Sequence, residues 1–309
     1  MMTPAPKATL IETIDVKNTL GEGVLWRAAD QTLWWTDIQE RTLYALDWRS
    51  KKIKTYATPE RVGSFGFVET RDDILIVAFE SGFALYQPES AALHWLARPE
   101  ELGEGVRLND GRVDPFGRFW AGAMVERELR DGETPDGRLY MVDAEGVAHT
   151  RARGAHISNG LCWSSAGDRI YFADSMRNSI KTAPFGERAS GELALENFAK
   201  TTDGSPDGAV TDRDGRYWSA LWGAGRVACF SPEGEEIFSL AVDAPQPTCP
   251  AFGGPDGNLL FVTAARDGLS DTALAASPKS GSVFVYETNT AAAPAARARF
   301  APALATVFA

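Results

Sequence analysis

Glycines 23, 66, 111, 160, 208 and 253 stand 43, 45, 49, 48 and 45 positions apart, in similar local contexts. The units open at Glu22-Gly23, Phe65-Gly66, Asp110-Gly111, Asn159-Gly160, Asp207-Gly208 and Phe252-Gly253. About ten residues after each glycine comes a short, strongly apolar or aromatic run. These runs are Leu33 to Thr36, Ile74 to Val77, Phe119 to Ala121, Ile170 to Ala173, Tyr217 to Ser219 and Leu259 to Val262. A turn rich in Asp, Gly or Pro precedes most of them, and third runs such as Arg138 to Val142 and Ser282 to Tyr286 follow. Self-similarity at about 40–50 residues is the mark of radial or stacked repeats. Short strands with hairpin signals at this spacing read as all-β.

Six such units predict a six-bladed β-propeller with four-stranded blades, one domain over residues 1–309. Two β-sandwiches in tandem are the alternative, but a sandwich requires no six matched glycines. A propeller must also close its ring. Either the extended run Ala8 to Val16 or the C-terminal Leu304 to Phe308 could supply the outer strand of the last blade. The Ala/Pro-rich stretch Ala291 to Ala298 reads as a surface connector.

The residue before each repeat glycine should start an inner strand, where side chains converge on the axis. Its occupants are Glu22, Phe65, Asp110, Asn159, Asp207 and Phe252. An Asp-Gly or Asn-Gly pair taken alone is a turn. Four oxygen-bearing side chains at one phase of a repeat are not explained that way, because converging carboxylates repel unless neutralised. Carboxylates with an amide carbonyl make a nest for a hard divalent cation. Composition agrees that a metal would need oxygen donors. The chain has only three His (His94, His149, His156), at no HExxH or HxxxH spacing, and three Cys (Cys162, Cys229, Cys249) with no CxxC pair.

Arg107 and Asn109 lie two apart on a strand and so share a face, suited to a hydroxylated or carboxylated ligand. Glu126 to Gly137 is polar and turn-rich, the pattern of a loop over one face and a lid candidate. His156 and Trp222 could reach the site, though a structural or surface His and a blade-packing Trp are the default readings. A net charge of −11 argues against nucleic acid as partner. No apolar run approaches the roughly 18 residues of a membrane span. Met1 to Leu10 shows no signal-peptide core, which with unpaired Cys gives a cytoplasmic expectation. Nothing calls for an oligomer, so monomer is the default.

The ordered set Gly21 to Trp26 (GEGVLW), Arg107 to Gly111 (RLNDG), Phe119 to Met124 (FWAGAM), Ser158-Asn-Gly160, Ser205 to Gly208 (SPDG), Phe252 to Gly254 and Thr263 to Arg266 resembles the SMP-30/gluconolactonase/regucalcin family, over about residues 18 to 288. Val24 departs from it, since many members have Pro there. The resemblance implies a six-bladed propeller that hydrolyses sugar lactones with one divalent cation (Ca, Mg, Mn, Zn or Fe(II)). It implies Glu22, Asn159 and Asp207 as metal ligands, and Arg107, Asn109 and Glu126 as substrate-binding residues. Asp207 is the expected general base, with Asp110 in support. The expected partner is a small sugar lactone, a pentono- or hexono-lactone. The sequence leaves two other readings open: a propeller hydrolase of other lactones or phosphotriesters, and a non-catalytic metal- or sugar-binding propeller.

Overall fold

A computed structural model describes residues 4–308. Its strands form six four-stranded antiparallel sheets. The inner strands of blades 1 to 6 are Gly21–Arg27, Val62–Val68, Val106–Val113, Ser158–Trp163, Ser205–Thr211 and Pro247–Gly253. Blades 1 to 5 each use four consecutive strands. Blade 6 takes Pro247–Gly253, Leu259–Ala264 and Val283–Thr288, and its outer strand is Ala8–Ile14 from the other end of the chain. Ala8 pairs with Thr288 and Ile14 with Val283, so the N-terminal run closes the ring. The fold is the six-bladed β-propeller that the repeat predicts.

The C-terminal run takes the other course. From Ala291 the chain crosses the face where inner strands turn into their neighbours. Arg213 donates its N–H to Ala291 O, Ala298 donates to Phe67 O, Arg299 to Gly117 O and Ala301 to Ala144 O. Ala298 is fully buried, so this stretch is a strap across several blades rather than a surface connector. It ends in a one-turn helix, Pro302–Ala305, and Leu304 and Phe308 pack against blades 2 and 3.

Blades cohere through apolar layers between adjacent sheets. Phe83, Leu85, Leu108, Phe119 and Tyr140 form one such layer between blades 2 and 3. Each fully buried side chain of this size is worth about 1.5–3 kcal/mol against exposure. In blades 3 and 5 the hairpin after the inner strand carries the same polar device. Asp114 accepts from the N–H groups of Phe116 and Arg118, from Arg118 Nε and from Trp120 Nε1. Asp212 does the same for Asp214, Arg216 and Trp218. Each carboxylate is fully buried with its acceptor capacity filled, so its burial is tolerable.

Three of the repeat glycines have a packing reason in the next blade. A Cβ on Gly208 would lie 2.9 Å from Cys249 Cα, on Gly66 2.5 Å from Val113, and on Gly253 2.3 Å from Trp26, each in the next blade. At these three positions a Cβ would collide with the neighbouring inner strand.

Candidate active site

All six inner strands carry an irregularity near the start, and it sets which side chains reach the axis. The register breaks between Glu22 and Leu25, between Val62 and Ser64, between Leu108 and Gly111, between Asn159 and Cys162, between Pro206 and Ala209, and between Pro247 and Pro250. Glu22, Asn109, Asn159 and Asp207 therefore share this zone. In blades 2 and 6 the corresponding residues are Gly63 and Thr248, not Phe65 and Phe252. The sequence phase is wrong there because Gly66 and Gly253 answer a close approach farther along the strand. Phe65 instead packs edge-on to Phe67, and Phe252 edge-on to Trp218. Asp110, one residue past Asn109, does not line the cavity, and its Oδ2 accepts from Leu161 N at 2.9 Å.

These strands surround an open cavity of about 390 Å³. Glu22, Arg107, Asn109, Glu126, Asn159 and Asp207 all line it, so the structure brings the six expected residues together. Trp222 lines it as well, while His156 does not and offers its backbone N–H to Asp174 Oδ2 at 3.1 Å. Of the loop from Glu126 to Gly137, only Glu126 reaches the cavity.

Glu22 and Asp207 are both 7% exposed, with their carboxyl groups within hydrogen-bonding reach of each other. Burial, followed by the charge of nearby Asp110, pushes the Glu22 carboxyl up to about 8. Burial, then the charges of Glu22 and Asp110, raises Asp207 well above the ordinary carboxylate range. Two acids this close need a shared proton or a cation between them.

Asn159 is fixed from two sides. Its Nδ2 donates to Ser175 Oγ at 2.8 Å, and Ser175 Oγ donates to Pro206 O at 2.7 Å. Its Oδ1 accepts from Asn109 Nδ2 at 3.2 Å. Asn109 Nδ2 also reaches Ser158 O, and its Oδ1 accepts from Arg107 Nη1 at 2.8 Å. Asn109 is thus a bridge that ties Arg107 to Asn159. Arg107, 4% exposed, gives Nε to Glu126 Oε1 at 2.8 Å and Nη1 also to Leu108 O. Its Nη2 has no protein partner among the described residues. Arg61 grips both oxygens of Glu126, at 3.0 and 2.9 Å, and reaches Glu80 Oε2 through Nε at 2.6 Å. These pairs lower the Glu126 carboxyl against the opposing effect of its burial.

Among the described residues no three His, Cys, Asp or Glu side chains form a metal-ligand cluster. The candidate donor set is two carboxylates and one amide oxygen. It contains no nitrogen or sulfur, and its two acids are strained by mutual proximity, so it fits a hard divalent cation.

Comparison with known proteins gives the site its setting. Residues 20–266 match the family model described as SMP-30/Gluconolactonase/LRE-like region. The chain belongs to the SMP-30/gluconolactonase family. Among its relatives, a 6-deoxy-6-sulfogluconolactonase of Pseudomonas putida is 37% identical over 274 residues, 88% of this chain and 92% of that protein. An L-arabinolactonase of Azospirillum brasilense is also 37% identical, over 299 residues, 95% and 96% of the two chains. The crystal structure of a calcium-binding protein, regucalcin, from Agrobacterium tumefaciens C58 superposes with a TM-score of 0.86 at 31% identity, covering 94% of this chain and 98% of that one.

Three contributors lie outside the expected set. Arg61 lies just before an inner strand, and nothing local marks it as the second anchor of Glu126. Ser175 follows the buried Asp174, and only the fold brings it to Asn159. Arg112 was legible: it lies two residues from Asp110 on an inner strand, where a charged side chain has only the channel to enter. Its Nη2 reaches Cys249 Sγ at 3.3 Å and Pro250 O at 3.2 Å, and its charge opposes the upward shift of Glu22 and Asp110.

Proposed function

We propose that this protein hydrolyses an aldonolactone, a pentono- or hexono-lactone, to the open aldonic acid, with one divalent cation held by Glu22, Asn159 and Asp207. The observation that carries the reading is the buried Glu22–Asp207 pair at an open cavity of small-sugar size, with Asn159 fixed beside it. The similarity to two sugar lactonases over nearly the whole chain supports the same chemistry. A divalent cation supplies polarisation of the lactone carbonyl and a counter-charge for the oxyanion that develops on it.

The chain's own residues do the rest. Asp207 is the general base, its carboxylate accepting a proton from the water that attacks the carbonyl carbon. Arg107 directs its unused Nη2 at a ring or chain hydroxyl. Glu126 fixes that guanidinium from outside, and Asn109 fixes it from inside while holding the Asn159 amide in one orientation. Apolar Ile157, Met176 and Trp222 meet the C–H edges of the sugar and narrow the access of bulk water. The ring C–O bond breaks, the freed alkoxide takes back the proton held by Asp207, and the new carboxylic acid loses its proton to solvent and leaves as the carboxylate.

The test is lactone opening followed by pH-stat, after chelation and with Ca²⁺, Mg²⁺, Mn²⁺, Zn²⁺ or Fe²⁺ restored singly. Activity is expected only with metal, and it should be abolished in Asp207→Ala. Undiminished turnover by metal-free Asp207→Ala protein would sink both the base and the ligand assignment.

A further inference from the structure

The ionisable residues that line the cavity are strongly unbalanced. Four are acids, Glu22, Glu126, Asp207 and Asp267, and one is a cation, Arg107. That cation is already paired with Glu126. The next cation outward, Arg61, is spent on both oxygens of Glu126 and on Glu80. Arg127, which opens the neighbouring loop, is held by Glu133. Asp267, which follows the second strand of blade 6, is positioned from two sides: Gln39 Nε2 of blade 1 donates to its Oδ2 at 3.1 Å, and Gln246 Nε2, at the start of blade 6, donates to its backbone O at 2.9 Å. The remaining wall is largely apolar, built by Leu20, Ile38, Ile157, Met176 and Trp222.

A divalent cation on Glu22, Asn159 and Asp207 would neutralise the floor, where the lactone carbonyl sits. It would leave the opposite end of the substrate facing Asp267, the acid of the lining with no cation paired to it among the described residues, whereas Glu126 is held by Arg107 and Arg61. A phosphate, sulfonate or second carboxylate carried there needs a guanidinium or ammonium to replace its lost hydration. The one guanidinium in the cavity, Arg107, is already tied to Glu126, Asn109 and Leu108 O, while Asp267 presents like charge.

We propose that the site is specific for neutral aldonolactones and discriminates against lactones that carry an anionic group remote from the ring carbonyl. Asp267 is the residue that sets this preference. The inference rests on the lactonase reading and divides the substrate classes that the relatives' names leave side by side.

The experiment compares kcat/KM of the metal-loaded enzyme for 1,5-gluconolactone, for its 6-phosphate and for 6-deoxy-6-sulfogluconolactone at one ionic strength. Both anionic lactones are expected to be at least about tenfold poorer than the neutral one. Raising the salt concentration should shrink that ratio, because exposed charges are screened within roughly a Debye length of 10 Å at 0.1 M. Asp267→Asn should shrink it at low salt, which a merely structural role for Asp267 would not do. An anionic lactone hydrolysed as well as the neutral one overturns the proposal, as does a ratio unmoved by Asp267→Asn.

A second arm keeps this question separate from turnover. Binding of sorbitol and sorbitol 6-phosphate to the metal-loaded protein is measured by calorimetry, and the neutral polyol is expected to bind at least about tenfold tighter. Should none of the lactones be opened, the lactonase reading fails while the polyol ratio still decides the charge preference. Equal or tighter binding of the phosphate refutes that preference whatever the enzyme hydrolyses.

Discussion

Gly122→Ala tests whether blade spacing sets the geometry of the site. Gly122 lies on the second strand of blade 3, Phe119–Val125, and faces the first residue of the inner strand of blade 4. A Cβ there would lie 2.2 Å from Ser158 Cβ and 2.7 Å from Ser158 Oγ. Apolar atoms at rest in a core are separated by nearly 4 Å, so the two strands must part by about 1.5 Å or distort. Overpacking of this kind costs about 1–3 kcal/mol. The functional cost should be larger, since Asn159 is the next residue and Ser158 O holds Asn109. A misplacement near 1 Å can remove about 100-fold in rate. Urea unfolding and lactone-opening kinetics should therefore show modest destabilisation with a loss in kcat/KM of that order.

The compensating change is Ser158→Gly. It removes both clashing atoms and leaves Cα at 3.6 Å, an ordinary contact. It sacrifices no hydrogen bond of the hydroxyl, because Ser158 Oγ has no partner. Glycine in a strand costs up to about 1 kcal/mol on its own. The double variant should still recover most of the lost activity, and the two changes should couple by more than about 1 kcal/mol. Full activity in Gly122→Ala, or strict additivity in the double variant, would refute the reasoning.

Three further outcomes follow from the same structure. Glu126→Gln leaves Arg107 and Arg61 facing a neutral amide; discounted for the partial exposure of Glu126, this should cost about 2 kcal/mol of transition-state binding, read chiefly as a higher KM. In metal-free protein the Glu22 carboxyl binds its proton more tightly folded than unfolded. Its contribution to stability is therefore complete below about pH 4.5 and lost as pH rises through about 8, so melting temperature should fall across that window and saturating divalent cation should flatten the fall. Asp212→Ala strips the buried partner of Arg216 and Trp218 and should destabilise by about 3–5 kcal/mol in denaturant titration, while the folded fraction keeps its kcat.

Much of the architecture is legible in the chain because a propeller repeats its instructions. Any one Asp-Gly is a turn, but six spaced glycines give the blade number, and Glu22, Asn159 and Asp207 fall on one ring. The phase fails at Phe65 and Phe252 because the glycine that follows each serves a different contact, with Val113 and with Trp26, and sequence spacing does not separate two packing reasons for one residue type. The anchors Arg61 and Ser175 are illegible for a related reason: Arg61 acts across a blade boundary on a residue 65 positions away, and Ser175 reaches Asn159 from beyond the hairpin of the same blade, 16 positions away. The choice between the two termini for ring closure is made by pairing partners, since both runs are apolar enough to serve, and the C-terminal one instead forms a helical turn.

The strand that closes the ring imposes an order on biosynthesis. Ala8–Ile14 leaves the ribosome first, yet its partner Val283–Thr288 is made some 270 residues later. At about 5–20 residues per second that is a wait of tens of seconds with Leu10 and Ile11 on an unpaired edge. Blade 1 is meanwhile without its neighbour on that side, including the hydrogen bond from Thr248 Oγ1 to Gly21 O beside Glu22. A nascent or truncated chain therefore cannot present the assembled carboxylate floor. If the proposed cation binds there, its affinity would report ring closure, gained only when Ala8–Ile14 and Val283–Thr288 have paired.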